Sequence, residues 1–324
     1  MTPEKKALAL IRQRSRFLIV THVNPDLDAI ASQLALAAYL KGQGKRVMVV
    51  HEKPVSSAFC FVKAVNQIRP LASFFGDYDA AIVVDCGELG RIGEVRSIIQ
   101  ENKPIVNIDH HYTNEFFGTI NIVDPSASST AEVLFSLLQQ WDADLSKEIA
   151  YYLYLGILTD TGSFRYQSTT FRTHHITAQL LKLGVDPVKI YHDVYEDLKP
   201  KHLFDLARII QKVKYYRQGK IACVSLPSGM LKAHQKEVDL KDKIFSFLRM
   251  LKDVEVMVIF SQESTRKVRV NLRSAGSVNV AAIAQKFSGG GHKAASGCTL
   301  EQPLAKAQKD VLAQIFKKVS SHER

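Results

Sequence analysis

Cysteine is scarce in this sequence: four residues in 324, at Cys60, Cys86, Cys223 and Cys298, with no CxxC pair among them. Such scattering excludes a zinc or disulfide framework and reads as reduced core thiols in a cytosolic protein. Long apolar runs are missing too. Apolar residues form 46% of the chain, enough for real cores, yet they are spread too evenly for a membrane span. The opening "MTPEKKALALIRQRSRFLIV" breaks its apolar residues with charge and lacks the uninterrupted core of a signal peptide. A cytoplasmic protein with no membrane partner is the expectation. Internal repeats and low-complexity tails are also absent. At roughly 100–200 residues per domain, two globular domains are expected.

The net charge of +11 is unevenly held. Residues 1–200 carry 20 Lys and Arg against 22 Asp and Glu, a net of −2, whereas residues 201–324 carry 23 against 10, a net of +13. A basic second half beside a slightly acidic first half suits an anionic partner gripped from one side.

The first half alternates short β-branched runs with helical patterns. "FLIVTH", "RVMVVHE", "AAIVVDCG", "PIVNIDHH" and "TINIVDP" read as near-continuous apolar strands, the pattern of a parallel sheet covered on both faces. "DAIASQLALAAYLKGQG" has helical spacing and stops on Gly42 and Gly44. Two more helices are predicted near 129–141 and 146–158. Residues 186–216 are charged, aromatic and mostly helical in pattern, and read as a connector. The expected organisation is an α/β domain over 1–190, a helical linker over 191–216 and a smaller α+β domain over 217–324. In the last of these, "GKIACVSLP", "VEVMVIFSQ" and "KVRVNLRS" are predicted strands and 228–251 is predicted helical. A short helix at "VNVAAIAQKF" precedes a Gly-rich loop and a final helix at 303–319.

Acidic and His residues gather where the predicted strands end. His22, Asp26 and Asp28 follow the first run, Asp85 closes another, and Asp109, His110 and His111 close a third. Asp160 sits where a helix ends before Gly162. In an open parallel sheet the carboxyl ends of the strands share one edge, where ligands bind. A single Asp there is commonly a cap, and Asp28 could be the N-cap of the helix it opens. Four Asp and at least two His on one edge would repel or stay unsatisfied without a cation. Asp26, Asp28, Asp85 and Asp160 supply four negative charges, the number two divalent ions neutralise. Carboxylate and imidazole donors without thiolate suit manganese or a similar ion. Two such ions ~3.5–4 Å apart form a clamp for in-line displacement at phosphorus.

The motifs "HVNPDLDA", "VVDCG", "DHH" and "LTDTGSF" resemble, in order, those of the DHH phosphoesterase family, and "GGGHKAASG" resembles the signature of its accessory C-terminal domain. Length and layout are similar to the bacterial nanoRNase and pAp phosphatase members. These degrade very short oligoribonucleotides from the 5′ end and remove a phosphate from 3′-phosphoadenosine 5′-phosphate (pAp). The resemblance implies a parallel-sheet DHH domain, a smaller α+β domain and an active site in the cleft between them. It implies a first metal on His22, Asp26 and Asp85 and a second on Asp28, Asp85, His110 and Asp160, so that Asp85 bridges. It also implies that His111 faces the substrate phosphate, with Asp85 and His111 as the catalytic pair, and that Asp109 orients the neighbouring His residues. Two manganese ions are the implied cofactors, with magnesium or cobalt as substitutes. Many relatives have Gly where this chain has Leu27 and Ala31.

In the basic half, Arg269, Asn271 and Arg273 of "KVRVNLRS" share one strand face, because side chains repeat every second residue. Downstream, Gly289, Gly290 and Gly291 would let backbone N–H groups approach an anion, with His292 and Ser296 beside them. Together these residues are expected to bind substrate phosphate. The expected function is a metal-dependent phosphoesterase acting on short RNA and small nucleotides, with a homodimer as a candidate assembly. The alternatives are a linear or cyclic dinucleotide phosphodiesterase, a RecJ-like exonuclease, and a non-catalytic nucleotide- or RNA-binding module. The absence of an added OB-like or helicase segment counts against the RecJ type. The complete ligand set counts against the non-catalytic module.

Overall fold

Runs buried on both faces become strands here. In the first compact unit, Met1–Glu196, they are β1 (Arg16–Val20), β2 (Arg46–His51), β3 (Ile68–Pro70), β4 (Ala80–Val84), β5 (Ile105–Asp109) and β6 (Ile120–Val123). All pair in parallel, in the order β3-β2-β1-β4-β5-β6. The computed structural model describes residues 1–196, 198–228, 240–275, 278–291 and 293–319. β3 is the strand that the apolar pattern does not announce, being three residues long and ending in Pro70.

The helices of this unit are α1 (Pro3–Gln13), α2 (Leu27–Gly42), α3 (Thr130–Gln140), α4 (Lys147–Asp160), α5 (Phe171–Lys182) and α6 (Pro187–Tyr195). Phe17 and Ile19 of β1 point into one core with Leu34 of α2 and Ile157 of α4, while Leu18 and Val20 point into a second core with Tyr78, Ile92 and Val95. The sheet is thus covered on both faces, as the unalternated runs require. α2 is buried on nearly every side, which a helix apolar all round demands. It packs closely on α4, and Gly156 is what permits this. A Cβ there would lie 2.5 Å from Asp28 Oδ1 and 2.6 Å from Ala131 Cβ. Leu27 and Ala31, the two departures from Gly, are accommodated as the first residue of α2 and as a fully buried core residue. Of the four thiols expected in cores, Cys86, Cys223 and Cys298 are buried but Cys60 is exposed, in the irregular stretch between β2 and β3.

The second unit, Asp197–Arg324, contains α7 (Pro200–Ile210), β7 (Lys214–Tyr216), β8 (Ile221–Leu226), α8 (Leu240–Arg249), β9 (Val256–Ser264), β10 (Lys267–Ser274), α9 (Ala281–Gln285), β11 (Gly290–Gly291), β12 (Ala295–Leu300) and α10 (Leu304–Phe316). The strands form a mixed sheet in the order β11-β12-β10-β9-β8-β7, with only β8 and β9 parallel. α9 and α10 cover one face and α7 and α8 the other. Residues 191–216 do not form one helical connector. Val194 and Tyr195 of α6 pack on the first unit's core, Leu206 and Ile209 of α7 lie in the second unit's core, and β7 is an edge strand. Of the helix predicted over 228–251, α8 is its C-terminal part, and 229–239 lie outside the described residues. The Gly-rich segment is a hairpin rather than a loop, since Gly290 pairs with Gly297 and Gly291 with Ser296.

Candidate active site

The strand order reverses at β1, whose neighbours β2 and β4 lead to opposite edges of the sheet. Such a switch point leaves a crevice beyond the strand ends. His22 emerges there from β1, and Asp85 directly follows β4. The Thr21 hydroxyl donates to the Val84 carbonyl at 2.8 Å and ties the two strand ends together. Asp26 is the N-cap of α2, accepting from Ala29 N–H at 3.0 Å. The capping role that Asp28 could have filled therefore falls to Asp26. Asp28 points to the start of α3, where its two oxygens accept from Thr130 N–H at 2.8 Å and Ala131 N–H at 3.1 Å. Asp85 has φ 54°, a left-handed conformation unfavourable for a non-glycine residue. Its N–H donates to the Ile108 carbonyl at 2.9 Å, and its Oδ1 accepts from the Thr130 hydroxyl at 2.8 Å, so both flanking elements hold it there.

Three imidazoles surround Asp85. His22 Nε2 lies 3.7 Å from Oδ2, and His110 Nε2 and His111 Nδ1 lie 3.7 Å from Oδ1. His110 Nε2 is also 3.4 Å from Asp160 Oδ2, at the end of α4. Backbone carbonyls define two of the rings: Val23 O is 2.8 Å from His22 Nδ1, and Ala127 O is 3.3 Å from His110 Nδ1. Those contacts hold each Nδ1–H on a carbonyl and turn Nε2 toward the carboxylates. Asp109 orients only one ring. Its Oδ1 accepts from His111 Nδ1 at 2.6 Å, while on His110 it reaches the backbone N–H at 2.9 Å and not the imidazole.

Crowded, buried carboxylates dominate the electrostatics. Burial and the nearby Asp85 and Asp160 charges hold the Asp28 carboxyl well above the usual carboxylate range. Asp160 is pushed up to about 7 by burial, with Asp26 and Asp85 adding to it. Burial works to lower His110, but the Asp160, Asp85 and Asp28 carboxylates prevail and raise it to about 9. Burial also opposes ionisation of Asp85, and the His22 hydrogen bond with the His111 and His110 charges outweighs it, so that Asp85 is strongly lowered. Among the described residues these carboxylates have no Lys or Arg ion-pair partner. Their ligand atoms fall into three groups, each within 4.8 Å: His22, Asp26 and Asp85; Asp85, His110 and His111; and Asp28, His110 and Asp160. Oxygen and imidazole donors so crowded, and short of compensating charge, fit divalent metal ions.

The second-unit candidates divide between the two faces of their sheet. Arg269, Asn271 and Arg273 do share a face, opposite Thr299, Gly297 and Ala295 of β12. Arg269 Nη1 donates to the Thr299 hydroxyl at 3.2 Å. The Arg273 guanidinium lies 4.9 Å over the Phe245 ring, and Asn271 Oδ1 is buried without a hydrogen bond. Gly297 keeps this row open, since a Cβ there would come within 3.3 Å of Arg269 Nη2. Ser296 is not part of that face. It pairs with Leu272, so its buried side chain points to the opposite side. Gly289 lies against Gly297 and Cys298, and Gly290 and Gly291 form β11. His292 lies outside the described residues.

Residues 16–157 match the DHH family, N-terminal domain, and residues 230–321 match the DHHA1 domain. Over 290 residues the chain is 31% identical to the bifunctional oligoribonuclease and PAP phosphatase NrnA of Thermus thermophilus, covering 87% of this chain and 83% of that one. The chain belongs to the DHH family. A second DHH relative, the protein of the same description from Mycoplasma genitalium, is 29% identical and covers 97% of each chain. Among solved structures, an exopolyphosphatase-related protein from Bacteroides fragilis superposes with a TM-score of 0.90 at 28% identity, covering 98% of this chain and 96% of that one.

Within the DHH unit, several site residues carry no sequence signal. Thr130 touches both Asp85 and Asp28, and Asn114 donates to Asp109 Oδ2 at 2.6 Å and to Asn107 Oδ1 at 2.8 Å. Thr and Asn are ordinary loop residues, and only the fold brings Thr130 to a carboxylate 45 positions earlier.

Proposed function

We propose that this protein is a divalent-metal phosphoesterase that hydrolyses short oligoribonucleotides and converts pAp to AMP, with two manganese ions as its working cofactors. The observation that carries the reading is that the three ligand groups interlock, two through Asp85 and two through His110. In this reading His22, Asp26 and Asp85 hold one ion, and Asp28, Asp85, His110 and Asp160 hold the other. When bound, such ions polarise phosphoryl oxygens and make water a competent nucleophile near neutral pH.

The chain's own residues then have distinct tasks. The left-handed turn at Asp85 directs one oxygen toward His22 and the other toward His110. His111 donates a hydrogen bond from Nδ1 to Asp109 Oδ1, which leaves Nε2 to meet the substrate phosphate. Arg269 and Arg273 hold a second phosphate of the nucleotide, as guanidinium forks match phosphate oxygens. The names of the Thermus and Mycoplasma relatives support both substrates. Among the described residues no helix is long and apolar enough to cross a membrane.

The test is a substrate panel on the full-length protein after chelation and manganese return. Turnover of pAp and of di- to pentaribonucleotides that depends on manganese is expected. Activity that survives in excess chelator sinks the metal reading. Hydrolysis restricted to a linear or cyclic dinucleotide makes the protein a dinucleotide phosphodiesterase instead.

A further inference from the structure

The segment from the end of β6 through the first residue of α3, residues 124–130, contacts three of the candidate metal ligands. Its Ala127 carbonyl lies on His110 Nδ1 at 3.3 Å. Its Thr130 hydroxyl donates to Asp85 at 2.8 Å, and its Thr130 N–H donates to Asp28 at 2.8 Å. One backbone stretch therefore sets the orientation of three candidate ligands that belong to three different elements.

That stretch is itself gripped from outside by one guanidinium. Arg172, near the start of α5, donates from Nη1 to Asp124 Oδ2 at 2.6 Å, at the head of the segment. Its Nε lies 3.3 Å from Oε1 of Glu132, just past the tail, and its Nη2 donates to the Ser136 hydroxyl at 2.9 Å. Glu132 is fully buried, and its Oε2 accepts from the Ser128 hydroxyl at 2.6 Å and the Thr173 hydroxyl at 2.9 Å. Its Oε1 has no hydrogen bond of good geometry, so the Arg172 charge is what compensates it on that side. A buried carboxylate with this little margin is costly unless its cation stays in place. At the other end, Asp124 N–H donates to the Asp109 carbonyl at 3.0 Å, joining the grip to the end of β5.

We propose that Arg172, acting through Asp124 and Glu132, is a positioning residue that sets the 124–130 segment and thereby the aim of His110, Asp85 and Asp28 toward the metals. The inference rests on the metal reading given above. Arg172 touches none of the candidate ligands, so its effect is on affinity for metal and on turnover rather than on substrate binding. Groups that orient metal ligands from outside typically matter by about 10–100-fold in affinity or activity.

The decisive variant is Arg172→Lys. It keeps the positive charge beside Glu132 but cannot span Asp124, Glu132 and Ser136 at once. Calorimetric titration with manganese alone should show weakening of at least one site by about tenfold. Turnover of pAp should fall by a similar factor with KM unchanged, in a protein whose melting temperature is near wild type. Added guanidinium ion should restore the metal affinity of Arg172→Ala in part. Asp124→Asn leaves the buried Glu132 pair intact and is expected to weaken manganese several-fold, and this variant decides the matter should Arg172→Lys fail to fold. Wild-type manganese affinity and kcat in folded Arg172→Lys, or in Asp124→Asn where that variant is needed, overturn the inference. Failure of the wild-type protein to bind manganese strikes the metal reading instead.

Discussion

The two units treat their charged residues in opposite ways. In the DHH unit four candidate ligands are fixed by neighbours before any ion arrives: Asp28 by two backbone N–H groups, Asp85 by a hydroxyl, His22 and His110 by carbonyls. In the DHHA1 unit the candidate row on β10 is held by strand register and, at Arg273, by the Phe245 ring. Arg269 has a single described hydrogen bond to a side chain, and Asn271 Oδ1 has none. The contrast suits the ligands proposed for each unit. A small dication demands ligand positions good to a fraction of an ångström, whereas nucleotides of different length need cations that can adjust.

The contrast breaks first at Asp85. Asp85→Asn should cost more than about 100-fold in kcat, beyond what loss of a group outside the coordination sphere costs, together with metal at one or both sites. Near wild-type turnover with two bound manganese ions would show that the cluster is not organised around this carboxylate. Gly156→Ala comes next. Its Cβ meets Asp28 and Ala131 in a packed core, so we expect a loss of about 1–3 kcal/mol in urea unfolding and weaker manganese binding. An unchanged midpoint and affinity would mean that the α2–α4 contact is looser than described.

Arg273→Ala tests the other side of the comparison. Loss of a charge-assisted phosphate contact, ~1.5 kcal/mol, should raise KM for pAp about tenfold, with metal affinity untouched. A change in manganese affinity instead would erase the division between the units. The smallest effect belongs to a DHH-unit carboxylate away from the cluster. The hydrogen bonds from Arg16 hold Asp79 down at about 2. A depressed carboxylate stabilises the fold above its unfolded pKa of ~3.9, and that contribution disappears as pH falls through 2. Asp79→Asn should therefore lower the melting temperature slightly at pH 7 and progressively less from pH 4 downward, without changing activity. A pH-independent difference would mean that packing, not charge, is what Asp79 supplies.

Much of this was legible in residue order because a parallel sheet converts sequence into place: whatever follows a strand lies on one edge. His22, Asp26, Asp28 and Asp85 follow strands, the 109–111 triplet straddles the end of β5, and Asp160 was readable from the helix end before Gly162. What was not legible depends on contacts across the fold. Thr130, Glu132 and Arg172 are ordinary residue types whose partners lie 36 to 102 positions away, apart from the local ones. Gly156 sits inside a helix, where its reason is the neighbouring helix and not a turn. In the second unit the alternation of "KVRVNLRS" placed Arg269, Asn271 and Arg273 on one face, but the β10–β12 register that turns Ser296 to the other face needed the pairing partner.

The ends of the DHH sheet carry a further consequence. An open sheet presents unpaired backbone groups along its outermost strands, and those invite another chain to add on. Here one border is β3, only three residues and closed by Pro70, which has no N–H to donate. The other is β6, four residues followed at once by Asp124 and Pro125, with α1 lying against it. Neither border offers a flat template long enough for strand addition. The same brevity that hid β3 from the sequence pattern guards a strongly apolar sheet against aggregation.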